Sequence, residues 1–411
     1  MSRITACRSC SKAGLEPILS LGDMPLANAL LRADQLDAPE PRHPLDLALC
    51  PACTLVQITE TVPAEELFRD YLYFSSFSDG MVTHARELVG RLVRERALGP
   101  RSLAVEVASN DGYLLQWYKT ASVPVLGIEP ARNVAAVAER DRGVPTIAEF
   151  FDLSLARRLA AEGRRADVLH ANNVLAHVAD LAGFVAGIHA LLAPGGIAII
   201  EVPYLGEMIP RLEFDTIYHE HLCYFSLTAL AGLFRQHALA VVDVEEIGLH
   251  GGSLLLGVAR EEDACAASAR VAELLAREQA SGMTSLAYYA DLATRVAQWR
   301  ESFRTFLAAQ RRAGHRIAAY GAAAKGSTLL NAAGVGRDLV DFVVDRSTYK
   351  QGLYMPGVHI PIRPTEALLE EQPDIVVLLA WNFQQEIAQQ QAAYLQRGGR
   401  FVIPIPEVSF V

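Results

Sequence analysis

SLAVEVASNDGYLLQWYKTASVPVLGIEPARNVAAVAER, residues 102–140, alternates two kinds of apolar run. SLAVEVAS and VPVLGIEP are short, almost continuously apolar and end on polar residues, as strands buried on both faces do. YLLQWYK and ARNVAAVAER space their apolar residues three or four apart, the period of an amphipathic helix. The rhythm continues outward. ADVLHANNVLAH (166–177) reads as a third strand with a polar end, and FVAGIHALLAPGGIAIIEVP (184–203) as a helix, a Pro-Gly-Gly break and another strand. Strand–helix–strand repetition of this kind predicts a parallel sheet with helices on both faces. ALAVVDVEEIGLHGGSLLLGVAR (238–260) adds two strand-like runs joined by a turn with two glycines.

The flanks have different textures. Residues 262–313 read as helix, through ACAASARVAELLAREQA and LATRVAQWRESFRTFLAAQRR. At HRIAAYGAAAKGSTLLNAAG (315–334) a strand, a glycine turn and a helix begin again, and DLVDFVVD, PDIVVLLAW and GGRFVIPIP supply further buried strands. The expected α/β chain therefore has three parts: a small N-terminal module over 1–80, a central Rossmann-like domain over 81–261, and a helical link with a C-terminal Rossmann-like α/β domain over 262–411.

Composition narrows the function. Of 411 residues 51% are hydrophobic and 20% charged, with 37 Lys and Arg against 47 Asp and Glu, a net charge of −10. An acidic chain is a poor general binder of polyanions, so no nucleic-acid partner is expected. The start, MSRITACRSC, lacks the apolar run of a signal peptide, and no stretch reaches 18 uninterrupted apolar residues. A cytoplasmic protein with no membrane partner, working as a monomer, is the expectation.

Four of the six cysteines lie in the first 53 residues as two CxxC pairs, Cys7/Cys10 and Cys50/Cys53. In a reducing compartment two such pairs point to one tetrahedral zinc ion held by four thiolates. Four sulfurs leave the metal no open position, so the ion would be structural and stabilise a module too small for a large core of its own.

Ligands of open α/β sheets bind at the carboxyl ends of the strands, where strand order reverses. The first strand ends in Glu106-Val-Ala-Ser109-Asn110-Asp111-Gly112, which lacks the G-x-G-x-x-G of a dinucleotide fingerprint. Twenty-three residues beyond Glu106, the second strand ends in Glu129, where an acid accepts hydrogen bonds from ribose hydroxyls. With the LLAPGGIAIIEV segment, this order resembles the S-adenosylmethionine-dependent methyltransferase fold. The resemblance implies a cofactor site of Glu106, Ser109, Asn110, Asp111, Gly112, Glu129, Asn172 and Asn173. The usual acidic-Gly-x-Gly-x-Gly loop is reduced here to Gly112.

The densest polar and aromatic run is Asp215-Thr-Ile-Tyr218-His219-Glu220-His221-Leu-Cys223-Tyr224-Phe225-Ser226. His219 and His221, two apart, share a face only in an extended chain, and diverge by about 200° on a helix. The H-E-x-x-H spacing of a metal-binding helix is absent. A capped turn remains open as a structural reading. The chemical reading takes the histidines and tyrosines as acid/base groups.

EVASNDGYLLQ, NNVLAHV, EVPY, IYHEHLCYFS, LHGGSL, AYGAAAKGSTLLN, VVDRSTYKQGLYMPG and AWN follow the four-Cys module in that order. Over nearly its whole length the chain resembles the nucleotide-sugar C-methyltransferases. That resemblance implies methyl transfer to a sugar carbon beside a ketone, with His221 as the base, Tyr218 assisting, Glu220 orienting one of them, and His177 near the sugar. Tyr73, or Tyr71, would close the site. Lys325 and Gly321 in the GAAAKG loop, with His219 and Tyr224, would bind the nucleotide sugar. An O- or N-methyltransferase, and a non-catalytic nucleotide-sugar-binding protein, are the rival readings.

Overall fold

The computed structural model describes residues 2–68 and 74–411. The expectation for Tyr73 and Tyr71 lies outside the described residues. Three sheets matter for the site.

The central sheet has seven strands, in the spatial order Leu239–Ile247, Ser253–Arg260, Leu192–Pro203, Ala166–Asn172, Ala104–Val107, Val125–Ile128 and Thr146–Ile147. The last five run parallel, as the βαβ rhythm predicts. The two strands at the other edge do not: Ser253–Arg260 is antiparallel to both neighbours. The parallel sheet read from the βαβ rhythm thus carries the two turn-joined strands as an antiparallel edge. The cause is local, since residues 248–252 are too few for a crossover, and a short connection closes strands only in antiparallel fashion. The Pro-Gly-Gly segment does not break its strand either. It forms an irregularity inside Leu192–Pro203, where the register shifts between Leu192 and Ile197.

Helices cover both faces. Asp79–Glu95 starts where the Ser78 side chain accepts a hydrogen bond from the Met81 amide, and it buries Met81, Ala85, Leu88, Val89 and Leu92. That stripe packs with Tyr118, Val168 and Ile199 on one face of the sheet. Leu153–Ala161 and Leu181–Leu191 bury their apolar sides on the opposite face. Strand order reverses at Ala104–Val107, so the loops after it and after Ala166–Asn172 flank the switch point.

The N-terminal sheet has strands Glu16–Pro25, Arg42–Leu49 and Val56–Ile58, and a fourth strand from far along the chain, Cys223–Tyr224. Cys223 pairs with Gln57 and Tyr224 with Val56. The tyrosine–histidine segment is therefore built onto the cysteine module.

The C-terminal sheet, in the order Ile362–Arg363, Val343–Val344, Ile317–Tyr320, Ile375–Leu378, Arg400–Ile403 and Ser409–Phe410, is parallel except for its last strand. The predicted DLVDFVVD strand contracts to Val343–Val344. The link is two helices, Ala269–Ser281 and Leu292–Arg312, rather than continuous helix; Gly282, at φ +78°, ends the first. One buried cluster runs through all parts, from Cys7 and Leu45 through Val105 and Trp299 to Ile317. Among the described residues, no helix is long and apolar enough to cross a membrane.

Candidate active site

A cavity of about 600 Å³ opens at the switch point, and its wall draws on all three parts of the chain. Asn28 comes from the cysteine module, Asn110, Glu129, Asn172, Asn173, His177, Tyr218, Glu220 and His221 from the central domain, and Gly321 and Lys325 from the C-terminal domain. All of these except Asn28 are residues the sequence singles out.

The loop after Ala104–Val107 keeps the backbone of a glycine-rich turn without its glycines. Ala108, Asn110 and Gly112 alternate along the chain at φ +54°, +49° and +76°. Each L-residue held there costs about 1–2 kcal/mol, a strain that surrounding contacts must sustain. The Asn110 side chain helps, accepting from the Ser75 amide at 2.9 Å. Gly112 has no such freedom, because a Cβ would come within 3.1 Å of Val144. Glu129 accepts from the Asn110 amide at 3.0 Å and the Ala131 amide at 2.8 Å, and burial raises its carboxyl to about 7.

Glu106, Ser109, Asp111 and Gly112 lie behind this wall rather than on it. Burial also raises the Glu106 carboxyl. Asp111 accepts from Ser76 Oγ at 2.5 Å and faces Arg142 at 3.3 Å. Ser109 Oγ fills the space beside Gly127. On the adjacent loop, Asn173 sits at φ +55° and donates its side-chain amide to Glu201 at 2.6 Å. Among the described residues, the buried Asn172 Oδ1 has no hydrogen-bond partner. A polar cofactor fits this floor: it presents an acid at the second strand end and an amide oxygen awaiting a donor.

Opposite stands the tyrosine–histidine segment. His221 Nδ1 lies 3.0 Å from the Thr216 carbonyl, which can only accept, so this nitrogen carries the proton in the neutral ring. Nε2 then holds the lone pair, and the Tyr218 hydroxyl donates to it at 2.8 Å. The rings stack at 4.1 Å, and His177 meets His221 edge-on at 4.7 Å. Burial lowers His177 to about 4, which keeps it neutral near pH 7. Glu220 accepts from Asn28 Nδ2 with both oxygens, at 2.7 and 2.9 Å, and burial raises its carboxyl to about 7.

Two expected substrate contacts do not reach the cavity. His219 turns the other way, its Nε2 donating to the Pro44 carbonyl at 3.1 Å. Tyr224 is buried beside the cysteine-module sheet, its hydroxyl reaching the Thr216 carbonyl at 3.4 Å. A turn separates the two histidines: the His221 amide donates to the Tyr218 carbonyl at 2.8 Å, so the chain through His219 is not extended. His221 faces the cavity and His219 faces the module.

On the C-terminal side, Gly321 sits at φ +99° with Ala380 so close that a Cβ would come within 2.9 Å of it. Lys325, in the first turn of Ala324–Ala333, donates to Asn382 Oδ1 at 3.2 Å and lies 4.6 Å over the Trp381 ring. Lys350 donates to the Ala322 carbonyl at 2.8 Å, and Arg346 also lines the wall. Asn28, Arg346 and Lys350 were missed as site residues. The signal available was a polar Asn inside the apolar LANALL and two cations in DRSTYK; neither pattern singles out a cavity.

The four cysteines converge. Their sulfurs all lie within 4.8 Å of one another, with Cys7–Cys53 at 3.5 Å and Cys10–Cys50 at 3.6 Å, and none is in a disulfide. Four thiolates about 2.3 Å from one zinc stand about 3.8 Å apart, so Cys7, Cys10, Cys50 and Cys53 fit a closed structural zinc site. The Gln57 amide donates to Cys7 Sγ at 3.1 Å, and the thiol is pushed down to about 4, chiefly by its bond with Cys53.

Fold and site together define an S-adenosylmethionine-dependent methyltransferase with a zinc-binding N-terminal module. Three family models match in succession: "Putative zinc binding domain" over residues 7–68, "Methyltransferase domain" over 81–244, and "C-methyltransferase C-terminal domain" over 248–406. The C-methyltransferase NovU of Streptomyces niveus is 37% identical over 404 residues, 98% of this chain and 96% of that protein. The chain belongs to this C-methyltransferase family and is a C-methyltransferase. Among solved structures, magnesium protoporphyrin IX methyltransferase from Synechocystis PCC 6803 with bound SAH aligns at 15% identity and a TM-score of 0.35, over 44% of this chain and 84% of that one. The PH0226 protein from Pyrococcus horikoshii OT3 aligns at 16% and 0.38, over 49% of this chain and 100% of that one.

Proposed function

We propose that the enzyme methylates the carbon beside the ketone of a nucleotide-linked 4-keto-6-deoxy sugar, C-3 being favoured and dTDP the favoured carrier. The observation that carries this reading is the Tyr218–His221 pair, with its tautomer fixed, facing the cofactor loop across one cavity. Methylating oxygen or nitrogen needs no carbon-acid base. A C–H bond is not nucleophilic until its proton is removed.

The chemistry follows from the residues. The α-proton passes to the Tyr218 oxygen as the Tyr218 proton passes to His221 Nε2, and the C–H electron pair becomes an enolate. Thr216 continues to hold the Nδ1 proton of the resulting imidazolium. Neutral His177, edge-on to His221, lines the wall beside the pair, where the sugar would lie. Bound S-adenosylmethionine supplies an electrophilic methyl. Glu106, Ser109, Asn110, Asp111, Gly112, Glu129, Asn172 and Asn173 form or support its site. Glu220, clamped by Asn28, orients the segment. Lys325, Gly321 and Lys350 suit the diphosphate, a few local donors being enough for one anionic ligand in an acidic protein. His219 and Tyr224 position the segment from behind.

The test is a panel of keto sugars on different nucleotide carriers, with S-adenosylmethionine and NMR of the product. A new methyl carbon bonded to the carbon beside the ketone supports the reading. A methyl on oxygen or nitrogen contradicts it, as does no product from any keto sugar.

A further inference from the structure

Asp215 opens the tyrosine–histidine segment, yet nothing above gives it a task. It is fully buried, and its Oδ2 accepts a hydrogen bond from the Trp381 indole Nε1 at 2.7 Å. These residues are 166 apart in sequence, and Trp381 belongs to the C-terminal domain. The next residue, Thr216, carries the carbonyl that holds His221 Nδ1. Asp215 and Thr216 share one short 3-10 turn, Phe214–Thr216, so fixing the Asp215 side chain fixes the direction of that carbonyl.

The other end of the tie is in the substrate half of the cavity. The Trp381 ring lies under the Lys325 ammonium, and Lys325 donates to the adjacent Asn382. One indole thus touches the cation proposed for the sugar nucleotide with its face, and the turn that aligns the base with its N–H.

We propose that Trp381 is a positioning residue for proton abstraction, acting through Asp215 and the Thr216 carbonyl to hold His221 in the tautomer whose Nε2 accepts from Tyr218. This rests on the reading of Tyr218 and His221 as the base pair. A free carbonyl would let the imidazole turn or exchange its proton between nitrogens, and the Tyr218 hydroxyl would then face an N–H instead of a lone pair. The indole N–H therefore acts on the chemical step, while the Trp381 face acts on Lys325.

Trp381→Phe separates the two, since it keeps an aromatic face for Lys325 and removes the N–H. With S-adenosylmethionine and dTDP-4-keto-6-deoxyglucose as probe, the expected result is a loss of about tenfold or more in kcat and in α-proton exchange with solvent, with KM within about threefold. Asp215→Ala removes the acceptor, and because both changes break one bond, the double variant is no slower than the slower single variant. Wild-type kcat in Trp381→Phe, a loss confined to KM, or additive losses overturn the positioning role. Where Asp215→Ala does not fold, Trp381→Phe decides alone by the kcat–KM split. Wild-type enzyme that exchanges no α-proton of any keto sugar overturns the base reading itself, and the positioning role with it. Wild-type exchange with an unaffected Trp381→Phe overturns only the latter.

Discussion

The Tyr218 hydroxyl donates to Nε2 of His221 at 2.8 Å, and the carbonyl of Thr216 holds the other nitrogen of the same ring. Neither contact alone would make a base. Together they fix which nitrogen accepts. Tyr218→Phe keeps the ring that stacks on His221 and removes the relay, so kcat should fall by about 10²–10³ with little change in thermal midpoint. Steady-state kinetics and a melting curve check this; near wild-type kcat would remove Tyr218 from the proton path.

Asn28 holds both oxygens of Glu220 from 192 residues away. Asn28→Ala leaves a buried carboxyl without this donor, at about 1–3 kcal/mol. It should lower kcat by about tenfold as well as the thermal midpoint. Unchanged kinetics in a destabilised Asn28→Ala enzyme would limit the contact to stability.

The zinc module and the chemistry share a sheet through Cys223 and Tyr224. Metal analysis should find about one zinc per chain. Removing it with a chelator under reducing conditions should abolish turnover before S-adenosylmethionine binding is lost, since the cofactor wall belongs to the central sheet. Titration calorimetry and an activity assay on one metal-depleted sample measure both. Full activity without metal would contradict the coupling.

Ala108 occupies a left-handed conformation at φ +54°. Glycine removes about 1 kcal/mol of strain there and returns about 0.5–1 kcal/mol of backbone entropy to the unfolded chain. Ala108→Gly should therefore be nearly neutral in stability, whereas Ala108→Val should cost about 2 kcal/mol. Denaturant titration distinguishes them. Equal losses in the two variants would show that the backbone conformation is not the constraint.

Burial raises the Glu213 carboxyl to about 8 from its ordinary 4.5. Between those values the folded chain holds a proton that the unfolded chain has lost. This contribution to stability is full below pH 4.5 and disappears as pH rises through about 8. Glu213→Gln does not titrate, so wild type should lose more stability than the variant between pH 5 and pH 8, by on the order of 2 kcal/mol. Unfolding at the two pH values measures it; parallel losses would contradict the assignment.

Much of the central sheet was legible because buried strands and amphipathic helices have different apolar periods, and residues 102–140 display both cleanly. The antiparallel edge was not, since hydrophobic runs give a strand's burial but not its direction. Cys7, Cys10, Cys50 and Cys53 were legible as a set because metal ligands need fixed spacing. The strand Cys223–Tyr224 was not, because pairing across more than 160 residues leaves no local pattern. His221 and His219 looked equivalent in YHEH, and only the tight turn closed by the His221 amide on the Tyr218 carbonyl separates them. The loop at Ala108 and Asn110 is the subtler example: the glycines are gone, but strain held by neighbouring contacts preserves the conformation they would have adopted.

The most direct test of the proton-abstraction claim is deuterium incorporation from solvent at the carbon beside the ketone, followed by NMR on a 4-keto sugar nucleotide with the wild-type enzyme and with His221→Ala. The account predicts exchange by wild type and its loss in a His221→Ala enzyme that still binds S-adenosylmethionine. Exchange at the wild-type rate in His221→Ala would contradict it.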